Sequence, residues 1–120
     1  MQRELGVGAA VVTPAGDLPT ELVVHAVIQT SFEPVSKAGV RRAVAAALRQ
    51  AEWWHIDTLA LPPLGTGAGQ LSVEDAAEAL LPALKEHRRN AEHPANVFIV
   101  VETDFEREIF ETRLARGSLS

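Results

Sequence analysis

Apolar residues recur along this chain in two rhythms. Between residues 36 and 53 they fall at Val40, Ala43, Val44, Ala47, Leu48 and Ala51. Steps of three and four predict an amphipathic helix running to about Trp53, with Ser36 as its N-cap. The same steps at Ala76, Ala77, Leu80, Leu81 and Leu84 predict a second helix from Val73 to about Arg89, kinked or loosened at Pro82. Elsewhere the apolar positions form short runs. VGAAVVT at residues 7–13 and LVVHAVIQ at 22–29 are rich in β-branched residues and are separated by Pro14, the turn-forming Ala15-Gly16-Asp17 and Pro19. They are expected to pair as an antiparallel ribbon. IDTLALP at 56–62 and VFIVV at 97–101 are almost continuously apolar, as strands covered on both faces are. A last helix is expected from Asp104 as its cap, with Phe105, Ile109, Phe110 and Leu114 inward and Gly117 closing it. Strand and helix alternate after the opening ribbon, which predicts an α/β fold. It is a three-layer α/β/α sandwich with a mixed sheet and right-handed crossovers, one domain over residues 1–120.

One junction carries candidate chemistry. The stretch LALPPLGTGAGQLSVEDAA, residues 59–77, reads as a buried strand, a turn with Gly65, Gly67 and Gly69, and a helix start. Glycine lets backbone take positive φ and lets a ligand approach its N–H groups closely. A helix N-terminus adds unpaired N–H groups and the positive end of a dipole. Ser72 is the expected N-cap, with Asp75 completing an imperfect capping box. The spacing matches neither a Walker loop, since Gln70 and Leu71 follow the last glycine, nor G-x-G-x-x-G. Two readings stand at this level: an anion site outside the carboxyl end of a strand, or a connection whose glycines only let the chain turn.

Other chemistry is sparse. Thr66, Ser72 and Thr103 lack a nucleophile elbow, and His25, His55, His87 and His93 lack tight ligand spacing. No catalytic residue, metal site or cofactor is assigned. Glu74 and Asp75 are expected to complement the helix dipole. His25, inside an apolar run, reads as a hydrogen-bonded core residue. Lys37, Arg41, Arg42 and Arg49 read as a solvated helix face, with an acidic partner as the alternative. Trp53 and Trp54 are expected to divide, one lying as a lid on the core and the other exposed as a contact. Absence of Cys makes a reducing, cytoplasmic location the default expectation. A formal net charge of -5 argues against general nucleic-acid binding, and no stretch approaches membrane-spanning length.

Together, three segments resemble the macro domain family: GAAVVTPAGDLPTELVVHAVI (8–28), RRAVAAALRQAE (41–52) and LALPPLGTGAGQLSVEDAAEAL (59–80). FIVVETDFEREIF near the end extends the likeness over most of the chain. The resemblance implies a loop wrapping the diphosphate and distal ribose of ADP-ribose or a related nucleotide. Gly65, Thr66, Gly67, Ala68 and Gly69 would donate backbone N–H groups, with Gln70 close to the ribose. It also implies a fold truncated at its N-terminus. The family's preceding strands, Asn-rich segment and further glycine-rich loop, which supply the adenine contact and the residues associated with hydrolysis, have no counterpart here. Weak, non-catalytic binding is the expectation. A protein-interaction or oligomerisation module, and an ADP-ribosyl hydrolase completed by another chain, are the alternatives. Because the absent part includes a central strand, residues 22–29 and 56–62 are expected to pair directly or to be closed by a homo-oligomer.

Overall fold

The computed structural model describes residues 6–14, 16–17, 22–30, 32–67 and 70–116. Ala15, Pro19, Ala68, Gly69 and Gly117, to which the sequence assigns roles, lie outside the described residues. Four strands and three helices follow one another as β1 (Ala10–Pro14), β2 (Leu22–Ala26), α1 (Lys37–Trp53), β3 (Thr58–Leu61), α2 (Val73–Asn90), β4 (Asn96–Ile99) and α3 (Asp104–Arg116). This is the expected α/β/α arrangement, with the strands in two small sheets. β1 and β2 pair antiparallel from Ala10↔Ala26 to Pro14↔Leu22, and β3 and β4 pair parallel from Thr58↔Asn96 to Leu61↔Ile99.

Caps and helical stripes behave as the sequence requires. Ser36 accepts from the Gly39 amide at 2.9 Å and Ser72 from the Asp75 amide at 3.0 Å. α2 continues through Pro82, which is exposed, to end on His87, Arg88 and Arg89, cations suited to its negative end. α1 packs along α2 through alanines, with Ala43, Ala47, Ala76, Ala77 and Ala83 buried. Leu48 and Leu80 are fully enclosed, and each contributes roughly 1.5–3 kcal/mol of burial.

Several local expectations are corrected. Strand β4 is not covered on both faces: Val97 and Ile99 pack on the core, but Phe98 is 60% exposed and Val100 is exposed. Leu59 and Leu61 of β3 likewise face the core, while Thr58, Ala60 and Asn96 are exposed with Phe98. Neither tryptophan is a lid, since Trp53 is 79% and Trp54 52% exposed. Trp53 falls off the stripe that ends at Ala51, and Trp54 lies beyond the last turn, where the chain reverses through His55 at φ 51°. His25 is exposed rather than in the core, hydrogen-bonded at 2.8 Å to Thr13 across the ribbon. The cap of α3 is Thr103, not Asp104. Its hydroxyl accepts from the Glu106 amide at 3.1 Å, while Glu106 accepts from the amides of Glu102 and Thr103. That register turns Phe105 outward and leaves Phe110 buried.

β2 and β3 do not pair directly. The ribbon packs on α1, while Leu59, Leu61, Val97 and Ile99 join the cluster containing Leu80, Leu84 and Phe110. β2 pairs with β1 alone and β3 with β4 alone, so among the described residues each keeps one unpaired edge.

Candidate functional site

Parallel pairing stops after β3, where Pro62 and Pro63 remove two donors from the ladder. The chain then turns at Leu64 and Gly65. Gly65 has φ +90° and is buried, and a Cβ there would stand 3.0 Å from Leu71 Cδ1, 3.0 Å from Val40 Cγ2 and 3.2 Å from Val35 Cγ1. Only glycine fits both the dihedral and the space. Gly67 is different: it is exposed, and a Cβ would meet nothing within 4 Å. One glycine is demanded by the fold and the other is not.

The loop is held by its carbonyls. Gly65 O accepts from the Leu71 amide at 2.9 Å and Gly67 O from the Gln70 amide at 3.0 Å. The Thr66 hydroxyl donates to Pro63 O at 3.0 Å. The amides of Gly65, Thr66 and Gly67 have no acceptor among the described residues. Gln70 is exposed, and its Nε2 donates at 3.0 Å to Gln29 Oε1, tying the loop to the end of the ribbon. Gln29 carried no signal in the sequence, because an amide closing a strand is ordinary. The structure thus brings Gly65, Thr66, Gly67 and Gln70 together.

Helix α2 adds less positive potential than its position suggests. Glu74 and Asp75 occupy its first turn and already offset the dipole. The Asp75 carboxylate stands 3.7 Å from Lys37, and Glu78 bonds both Lys37 and Arg113. Those two cations hold the Glu78 carboxyl down at about 2, and Glu78 in turn holds the Lys37 ammonium above its ordinary value.

The Ser72, Thr103 and His87 side chains are otherwise engaged, whereas His93 Nδ1 is buried without a hydrogen-bond partner among the described residues. Ser72 and Thr103 serve as caps. At the opposite end of β3, His55 and His93 stack at 4.9 Å and His87 Nε2 lies 2.7 Å from His93 O. Glu52 accepts from the His93 amide at 2.6 Å, a bond that lowers its carboxyl below the ordinary range. Among the described residues no group of three or more His, Asp or Glu is arranged to hold a metal ion.

The family model described as Macro domain matches residues 1–80. An uncharacterized protein of Mycobacterium tuberculosis strain H37Rv is 38% identical over 94 residues, covering 73% of this chain and 26% of the relative. An O-acetyl-ADP-ribose deacetylase of Enterobacter sp. (strain 638) is 29% identical over 121 residues, covering 99% of this chain and 67% of the relative. Among solved structures, the Oceanobacillus iheyensis macrodomain with ADP superposes with a TM-score of 0.81 at 18% identity, covering 94% of this chain and 60% of that one. A mutant of the same macrodomain with ADPR gives 0.81 over 93% of this chain and 61% of that one. The chain thus spans about a quarter of the mycobacterial relative and about three fifths of these macrodomain structures.

Proposed function

The chain belongs to the macro domain family, and from that premise we propose that residues 65–70 bind the diphosphate of ADP-ribose or a related nucleotide, weakly and without efficient turnover. The observation that carries this reading is the set of amides at Gly65, Thr66 and Gly67 left without a described acceptor beside an exposed, sterically open Gly67. Oriented backbone N–H groups make a concave receptor for phosphate oxygens. Gln70, drawn toward Gln29, stands at the rim where a ribose hydroxyl would lie. The carboxylates of Glu74 and Asp75 in the adjoining turn set a repulsive background for an anion, which supports modest affinity.

Isothermal titration calorimetry with ADP-ribose tests this, using Gly67→Val as the probe. The substitution puts a branched side chain into open space beside the amides without meeting the loop's own atoms. Measurable heat from the wild type and its loss in the variant, with an unchanged circular dichroism spectrum, is the expected result. Absence of heat at millimolar nucleotide, or equal binding by the variant, would overturn the assignment.

A second reading, an interaction or oligomerisation module, is favoured by one specific feature. Phe98, Trp53 and Trp54 are large, apolar and exposed. Tryptophan emission that shifts with protein concentration and not with nucleotide would support it.

A further inference from the structure

Helices α1 and α2 run side by side in the same direction, with Lys37 beside Asp75 and Glu78 at one end and Arg49 beside Glu86, His87 and Asn90 at the other. Their outer seam is a groove in two joined parts. A hollow of about 620 Å³ lies between Lys37, Ala38, Arg41, Arg42, Glu78 and Ala79. A second, of about 460 Å³, continues past Arg41 to Arg49, over a floor of Ala45, Pro82 and Ala83. Small side chains on both helices keep the floor low and apolar.

The charges in this groove are unequally satisfied. Glu78 is taken by Lys37 and Arg113, Glu86 by Arg89 at 3.3 Å, and Arg42 by Glu33 at 2.9 Å. His87 is engaged with His93 O. Arg41 and Arg49, both exposed, have no carboxylate partner among the described residues. They are rooted eight residues apart on one wall, roughly 12 Å along the helix axis. In a chain of formal net charge -5, two uncompensated guanidiniums over an apolar floor mark a local reversal of sign.

We propose that this seam docks an acidic segment of a partner protein. Its carboxylates would meet Arg41 and Arg49, and apolar residues between them would lie on Ala45, Pro82 and Ala83. Guanidinium pairs with carboxylate through parallel hydrogen bonds, so the two arginines fix register as well as affinity. A protein segment fits better than nucleic acid. Glu78 and Glu86 on the opposite wall would oppose an unbroken run of phosphates, whereas a peptide can place its charges on one side only. This site is independent of the glycine turn and does not rest on the reading given to it.

The test uses a fluorescein-labelled synthetic peptide of repeated Glu-Leu-Ala-Glu units, followed by fluorescence anisotropy against the whole chain. The wild type binds, binding weakens with salt, and excess ADP-ribose does not displace the peptide. Charge reversal at both groove positions, R41E with R49E, weakens binding by roughly tenfold or more, as expected for two lost ion pairs turned repulsive. R41E alone weakens it measurably, whereas R88E, the same change of net charge outside the groove, shifts it by less than about twofold. All three sites are exposed, so folding, checked by circular dichroism, is retained. No binding of the peptide, equal losses from R41E and R88E, or tighter Arg41-dependent binding of oligo-dT than of the peptide would overturn the proposal.

Discussion

Replacing Gly65 by alanine isolates the part of the glycine turn that the fold requires. At φ +90° an alanine pays roughly 1–2 kcal/mol for left-handed backbone. Its methyl would also meet Leu71 and Val40 at 3.0 Å and Val35 at 3.2 Å, branched side chains from three separate segments. Overpacking of this kind costs about 1–3 kcal/mol. Reduced freedom of the unfolded chain returns about 0.4–1 kcal/mol. The net expectation is a loss of roughly 2–4 kcal/mol, a large share of the stability of a small domain. Urea denaturation followed by far-ultraviolet circular dichroism measures it directly. Gly67→Ala, placed in open space, is the control and should change stability by less than about 0.5 kcal/mol. A Gly65→Ala variant as stable as that control would refute the argument that packing on α1 fixes the turn.

Other outcomes follow from the caps and charges. Ser72→Ala removes the acceptor for the Asp75 amide and should cost about 1 kcal/mol in the same assay, whereas Thr112→Ala, on the exposed side of α3, should cost little. Glu78, held down at about 2 by Lys37 and Arg113, has a folded-state pKa below its ordinary 4.5. Its contribution is therefore complete above pH 4.5 and is lost as pH falls toward 2, and Glu78→Gln should flatten the stability profile in that window. All these groups are partly exposed, so added salt should shrink the difference.

Much of the architecture was legible because helices announce themselves. Ser36 and Ser72 cap where the apolar stripes begin, and the stripes alone identify Val40, Val44, Leu48, Leu80 and Leu84 as core. The strands were legible as strands but not in their surroundings. A run such as VFIVV looks the same whether one face or both are covered, so the exposure of Phe98 and Val100 could not be read from it. Whether β2 and β3 pair is a matter of tertiary arrangement, which no local pattern records. Thr103 displaced Asp104 as a cap because Glu106 stands three residues after it and reciprocates, a T-x-x-E box visible in the sequence. At the glycine turn, the sequence located the loop but could not separate Gly65, fixed by packing, from Gly67, free of it. Nor could it show Gln29, in the segment after β2, accepting from Gln70.

On the proposed reading, loop amides, not a helix end or a side chain, receive the nucleotide. Titration of isotope-labelled protein with ADP-ribose, followed by amide proton and nitrogen shifts, examines those groups one by one. The largest saturable shifts are expected at Gly65, Thr66 and Gly67, with smaller ones at Gln70 and Gln29. Shifts confined to the Arg41–Arg49 seam, or none at the turn at millimolar ligand, would rule out binding through these amides.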